Sequence, residues 1–530
     1  MTAEHAADDP TPSKKGRKSG LIASVATVSS FTMISRVLGF LRDMMMAALL
    51  GAGPIADAFF VAFKLPNFLR RLFAEGAFNA GFVPLFARTL EGEGKVVARD
   101  FAAQAQAVLL AVLVPLVILG IIFMPWIIGL MAAGFEVGGE RYEAAVSLSR
   151  ITFCYIIFIS LVALYGGILN SLGHFAVPAA APIILNLCLI AGMITSFLWF
   201  EAPAASLAWG LAFAGLGQFL WVRAAVNRLG MVPPLQRPKL SPEVKRLFAL
   251  ILPGVFGAGV AQISLFADVI FASFLAGGSV SYLYYADRVG QLPLGVIGVA
   301  VGTALLPLMS RQLRAGETEA AVHSQNRGIE LALLLTIPAA IGIAVLSLPI
   351  VTVLFERGEF GRFESLATSA ALSAYALGLP AYVLIKVLAP GFFAREDTKT
   401  PVQIAVVCLV ANVIFVLLLI GPLKHVGIAL ATVLSSWLNA LLLGVLLHRR
   451  GLFHLDRRLV RRLPRIVLAG LAMAVTVWLA MAYSRIVLPE WLALALTIAF
   501  GIIVFFAAAQ WLKVFDIQEI KKLMRRSPPS

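Results

Sequence analysis

The chain has 530 residues, 60% of them hydrophobic and only 13% charged, with a formal net charge of +15. Soluble domains hold about 45–50% apolar and about 25% charged residues, so this composition excludes an ordinary soluble protein and points to a polytopic membrane protein. Three cysteines without metal-ligand spacing, six scattered histidines and no GxxxxGK[ST] loop give no support for a metal centre or a nucleotide-driven motor.

Residues 1–20 are polar and end in the basic flank KKGRK at 14–18. Arg36 and Arg42 interrupt the following apolar run before any small-residue cleavage site, so that run reads as a retained helix rather than a signal peptide. Fourteen spans follow: 21–50, 55–90, 103–132, 146–171, 177–199, 205–228, 246–276, 280–311, 326–348, 366–393, 401–420, 426–448, 464–486 and 490–512. Pro66 is expected to bend span 2, because proline lacks the N–H and crowds the preceding turn. Segment 349–365 reads as a polar excursion.

Orientation follows the Lys/Arg bias. With the N-terminus in the cytoplasm, 30 of the 43 Lys and Arg fall in connections and tails on that side. Five (Arg141, Arg357, Arg362, Lys424 and Arg485) fall on the other, and eight lie within spans. Both termini are therefore expected inside. The basic balance is explained by anionic membrane lipids, with no nucleic acid required.

The chain repeats itself. Pro84 and Pro307, Arg88 and Arg311, Pro115 and Pro338, and Pro178 and Pro401 are each 223 apart, while Pro125 and Pro349, and Gly167 and Gly391, are 224 apart. Six spans separate the copies, so both halves run the same way through the membrane, as in parallel-repeat transporters with a substrate site between the halves. The expected plan is all-α: a cytoplasmic tail 1–20, an N-lobe 21–228, a linker 229–245, a C-lobe 246–448, a linker 449–463, two further helices within 464–512, and a basic tail 513–530.

Charges inside spans are the functional signal, since an intramembrane ionisable group is costly and faces a cavity or a partner. At 100° per residue, Asp57, Lys64, Arg71 and Glu75 fall along one stripe of span 2, with Arg70 turned away. Arg36 and Asp43 share a face of span 1, and Arg42 points elsewhere. Arg36 lies about 22 Å into its span, too deep to snorkel from the near side. Arg150 reads as snorkelling. Arg288 and Asp287 add charges from the second repeat, as does Lys386 from span 10. The cations outnumber the carboxylates, and arginine's planar fork matches phosphate, so the expected ligand is an anion. Asp268, alone in apolar span 7, is a carboxylate for a coupling Na⁺ or proton, or for a nearby hydroxyl or cation.

SRVLGFLRD at 35–43 and ADAFFVAFKLPNFLRRLFAEGAF at 56–78 closely resemble the MurJ (MviN) family of lipid II flippases. YYADR at 284–288, VLAPGFFAREDTKTPV at 387–402 and GPLKH at 421–425 extend the likeness over essentially the whole chain after residue 20. The resemblance implies the multidrug/oligosaccharidyl-lipid/polysaccharide exporter fold in a bacterial inner membrane. It implies two six-helix lobes plus two C-terminal helices beside a lipid-accessible groove. Its substrate would be lipid II, an undecaprenyl diphosphate carrying MurNAc-pentapeptide and GlcNAc, moved by alternating access without covalent chemistry or a cofactor. Coupling to Na⁺, H⁺ or the membrane potential and an association with the cell-wall synthesis machinery belong to the same implication. The family's essential cavity arginines match Arg36, Arg42, Arg70 and Arg288, and Asp57, Lys64, Arg71, Glu75 and Asp287 match its other charged positions. Gln291 stands where some members are acidic, which would leave the cavity more positive. Two other readings compete on the residues alone: a different polyprenyl-diphosphate oligosaccharide exporter, and a multidrug antiporter, whose cavity should instead be acidic.

Overall fold

The structure, a computed structural model, describes residues 14–70, 78–199 and 202–514. The described residues form seventeen helices. In chain order they are α1 Lys14–Leu50, α2 Pro54–Leu69, α3 Phe78–Ile122, α4 Met124–Met131, α5 Glu140–Phe153, α6 Tyr155–Ser171, α7 Ala176–Trp199, α8 Pro203–Arg228 and α9 Pro242–Ser273. They continue with α10 Ser279–Arg314, α11 Thr318–Phe355, α12 Arg362–Ala376, α13 Leu379–Leu388, α14 Pro390–Phe393, α15 Lys399–Arg449, α16 Arg457–Val487 and α17 Glu490–Trp511. A single antiparallel bridge, Arg357 to Phe360, is the extent of strand pairing among these residues.

Among the described residues all fourteen expected spans are helical, with internal divisions: span 55–90 is seen as α2 and the start of α3, with 71–77 outside the described residues, span 146–171 divides into α5 and α6, and span 366–393 into α12, α13 and α14. The connection expected between the spans ending at 90 and starting at 103 is helical, broken only where Gly94 turns to φ 86° and α3 starts a new pass. At about 1.5 Å per residue the 51-residue α15 would be about 75 Å long, more than twice a bilayer's apolar core. It folds back at Lys424, whose φ of 50° leaves the helical region. Those are the two passes expected at 401–420 and 426–448.

Two compact units account for the described residues: those within 1–45, 62–124 and 147–258 form the first, and those within 46–61, 125–146 and 259–530 the second. In the first, α3 packs on α6, α6 on α8 and α7 on α8. In the second, α11 packs on α12 and α13, and both of these on α15, so the same partner order recurs in the second repeat. There α16 packs on α11 and on α17.

Proline inside an apolar helix strands the carbonyl four residues earlier, and lipid supplies no donor for it. The chain supplies its own. Pro66 frees the Ala62 carbonyl, and the Thr152 hydroxyl donates to it at 3.0 Å. The α2 helix accordingly continues through Pro66 to Leu69. Pro125 frees the Ile121 carbonyl, which accepts from Arg150 Nε at 3.3 Å while the rest of that side chain stays exposed. A buried polar chain crosses the first unit: Tyr155 OH donates to Gln218 Oε1 at 3.1 Å, and Gln218 Nε2 donates to the Ala181 carbonyl at 2.9 Å.

In the second unit α16 is tied to α11 by charge. Arg327 pairs with Glu330 and Asp456, and Arg462 and Arg458 also converge on Glu330. Asp456 caps α16, accepting the Leu459 N–H at 2.7 Å. Asn326 Nδ2 donates to the His454 carbonyl at 2.9 Å, fixing the turn before that cap. At the neighbouring corner Asp397 accepts from the Thr400 hydroxyl and N–H and pairs with Arg450 at 2.7 Å, which holds its carboxyl down at about 2.

Candidate functional site: two buried charge clusters

In the first unit the charges of α1 are set by its neighbour α7. Arg42 and Asp43 are both buried, 4% and 2% exposed. Arg42 Nε and Nη2 donate to Asp43 Oδ1 at 3.1 and 2.6 Å, and Nη1 donates to Asn186 Oδ1 at 3.0 Å. Asn186 Nδ2 then donates to the Ser35 carbonyl at 2.9 Å, closing the loop back onto α1. The Arg42 guanidinium also lies 5.7 Å from the Phe63 ring centroid of α2. The shared face expected for Arg36 and Asp43 separates into two environments. Asp43 turns inward to its sequence neighbour, and Arg36 is exposed without an ion pair among the described residues. Lys64 is half-buried on α2. Arg70 Nε donates to Asn67 Oδ1 at 3.2 Å. Arg71 and Glu75 lie outside the described residues.

In the second unit the buried charge is a carboxylate. Asp57, wholly buried in the first turn of α2, accepts the Gly278 N–H at 2.8 Å, the Ser281 N–H at 2.8 Å and the Ser281 hydroxyl at 2.6 Å. These donors crown the start of α10, where unpaired N–H groups and the helix dipole favour an anion. Arg141 stands 3.7 Å away and donates to the Leu275 carbonyl at 3.2 Å. Gly278 has a φ of +95°, and a Cβ there would fall 2.4 Å from the Ala52 carbonyl oxygen, so the N-cap must be glycine.

The seam around this carboxylate is sealed by rings. Phe60 stacks on Tyr284 with centroids 3.9 Å apart, and Tyr285 meets Phe60, Phe355 and Phe360. The Glu359 N–H donates to the Ala48 carbonyl at 2.9 Å, beside Gly358, where a Cβ would clash with the same oxygen at 2.1 Å.

Arg288 Nε and Nη2 both donate to Tyr284 OH at 3.2 Å, with the guanidinium 5.2 Å from that ring. Asp287 is exposed and accepts from Gln291 Nε2 one turn on, so the amide at 291 serves as a donor to the carboxylate beside it. Lys386 is exposed on α13, its Nζ against Gly298. Asp268 faces Thr432, whose hydroxyl lies 3.4 Å from both carboxylate oxygens, and Asn412 Nδ2 reaches the same hydroxyl at 3.4 Å. Asn412 Oδ1 is buried without a hydrogen-bond partner among the described residues. No cluster of three or more His, Cys, Asp or Glu suited to a metal occurs among them.

Sequence reasoning missed Asn186, Ser281, Arg141 and Asn412. A lone asparagine in an apolar run was the available signal for Asn186 and Asn412. Nothing local marks Ser281 or Arg141.

A long-helix bundle with a repeated packing order, charges buried mid-span and no strand layer among the described residues defines a polytopic α-helical transporter. Solved structures agree on the class. An inward-facing multidrug resistance MATE family transporter of the MOP superfamily superposes with a TM-score of 0.68 at 16% identity, covering 81% of this chain and 98% of that one. A structure titled "Lipid II flippase MurJ, inward closed conformation" superposes with a TM-score of 0.78 at 28% identity, covering 94% and 99%. A family profile described as lipid II flippase MurJ matches residues 46–504. The chain is 44% identical over 485 residues to a probable lipid II flippase MurJ of Rhizobium meliloti (strain 1021), covering 90% of this chain and 89% of that protein. It is 36% identical over 459 residues to the lipid II flippase MurJ of Burkholderia cenocepacia, covering 86% and 89%. The chain belongs to the MurJ family of lipid II flippases.

Proposed function

We propose that this chain carries lipid II from the cytoplasmic to the outer leaflet of the bacterial inner membrane, with both termini in the cytoplasm. Family membership carries the reading, and the surplus of cations within apolar spans supports it chemically. The polyprenyl tail is stable in lipid, whereas a diphosphate and sugars are prohibitively costly there. A laterally open cavity resolves the conflict by leaving the tail outside and replacing water around the diphosphate with guanidinium groups.

Residue roles follow from the bonding. Arg36, exposed in the first unit, and Arg288, half-buried beside Tyr284 in the second, are each given a role toward the diphosphate. Arg42 is held by Asp43 and Asn186 and fixes α1 in the arrangement seen here. Arg70, Arg71 and Lys64 extend the cationic surface, with Asp43, Glu75, Asp287 and Lys386 as exchange partners on release. Asp57 latches the start of α2 to the start of α10 on the outer side, and opening outward breaks that latch. Asp268, with Thr432 and the unpartnered Asn412 carbonyl oxygen, takes the coupling Na⁺ or proton. No bond is made or broken, so no nucleophile is needed.

Binding of a polyprenyl diphosphate to purified variants tests the assignment. Arg36→Ala and Arg288→Ala should each weaken binding about tenfold or more. Lysine should rescue only in part, because it lacks the rigid fork. Binding equal to the parent in both alanine variants would overturn the roles given to these arginines.

A further inference from the structure

A polar cleft lies in the second unit where α11, α12, α16 and α17 end or begin. Thr352, Val353, Arg362, Met481, Arg485 and Glu490 line it. Arg362 is committed: it donates to Thr352 Oγ1 at 3.1 Å and pairs with Glu356 at 3.2 Å. Arg485 and Glu490 are not. Both are exposed, both face the cleft, and among the described residues neither makes a hydrogen bond or ion pair, with each other or with any other side chain. Arg485 sits in the last turn of α16 and Glu490 in the first turn of α17. Each sign suits its helix end, but that does not account for both opening into one cleft unpaired.

The depth of the cleft names the ligand. It lies at the ends of two apolar spans, α16 and α17, where a bilayer's apolar core gives way to headgroups. Tyr483 and Trp491, within two residues of Arg485 and Glu490 in sequence, are 73% and 63% exposed, as aromatic side chains are at the membrane interface. A cation and a carboxylate left apart at headgroup level match a headgroup that carries both charges. We propose that this cleft binds a zwitterionic phospholipid with a primary ammonium, such as phosphatidylethanolamine. Arg485 holds the phosphate through its planar fork, and Glu490 accepts hydrogen bonds from the ammonium. The site uses none of the charges assigned to the transported headgroup and does not depend on that assignment.

Native mass spectrometry of the full chain, purified from mixed lipid, tests this. Phosphatidylethanolamine should be retained about tenfold over phosphatidylcholine, whose trimethylated nitrogen donates no hydrogen bond, and over phosphatidylglycerol, which lacks the cation. Arg485→Gln and Glu490→Gln should each bring the preference close to parity, with polyprenyl diphosphate binding unchanged. Equal retention of the three lipids in the parent would overturn the proposal. So would variants that lower the melting temperature while keeping the preference, because the two charges would then serve only their helix ends.

Discussion

Asp43 and Asp57 lie fourteen residues apart in sequence, and both are almost fully buried, yet they are neutralised in opposite ways. Asp43 takes its counter-charge from the adjacent residue, Arg42, and Asn186 of α7 completes the pair. Asp57 is held chiefly by neutral donors at a helix start more than 220 residues away, with Arg141 standing off at 3.7 Å. The first is an intrahelical ion pair that persists wherever α1 goes. The second exists only while α2 and the start of α10 stay together. A buried carboxylate satisfied by its own helix is a structural fixture, whereas one satisfied by a distant backbone can act as a latch.

Breaking the latch should have the largest effect. Asp57→Ala strands two N–H groups and a hydroxyl in a dry site, at a cost on the order of 5 kcal/mol for this closed arrangement. A cysteine introduced at Val280, 4% exposed here, should resist a membrane-impermeant thiol reagent in the parent. It should react readily in the Asp57→Ala background. Protection in both would show that the latch does not hold the seam.

The ion pair comes next. Arg42→Ala leaves Asp43 buried and uncompensated, worth about 3–5 kcal/mol in thermal or denaturant stability. Removing both partners, Arg42→Ala with Asp43→Ala, should be milder than removing Arg42 alone. A double variant less stable than the single one would show that Asp43 is not the main partner. Asn186→Ala should cost about 1.5–3 kcal/mol, and a double-mutant cycle with Arg42 should recover most of that as coupling energy.

A surface carboxylate marks the low end of the scale. Asp397 is held at about 2, below its unfolded value, by Thr400 and then Arg450. Its contribution is therefore fully present above the unfolded carboxylate range and is lost as pH falls through about 2. Asp397→Asn should lower stability slightly at neutral pH, with the difference from the parent vanishing as pH falls through about 2, and so flatten the acid limb of the unfolding curve. An unchanged acid limb would show that other carboxylates control it.

Much of this could be read before any coordinates. Arg42 and Asp43 are neighbours, so a local pair was available from the sequence, although a regular face assigned Asp43 to Arg36 instead. Periodicity gives direction around a helix axis and says nothing about which direction is filled. Arg150 was read as a snorkelling side chain, and the structure places its Nε on the carbonyl that Pro125 releases. Pro66 was expected to bend its helix. Thr152, 86 residues later, satisfies the stranded carbonyl and the helix runs on. Asp57 was legible as a costly charge, but its partners were not, because backbone N–H groups leave no mark in a sequence and Ser281 is one serine among many.

The sequence by itself determined the solvent, the spans, the bias that sets their direction and the surplus of cations within apolar spans. These follow from hydropathy and charge, which are sums over local residues. Only the tertiary structure decided which charges are spent and which remain available. Arg42 is consumed by Asp43 and Asn186, Arg36 is left exposed, and Arg485 and Glu490 share a cleft without touching. The energy of a buried charge depends on the few atoms within about 4 Å of it, and folding brings those atoms from anywhere in the chain.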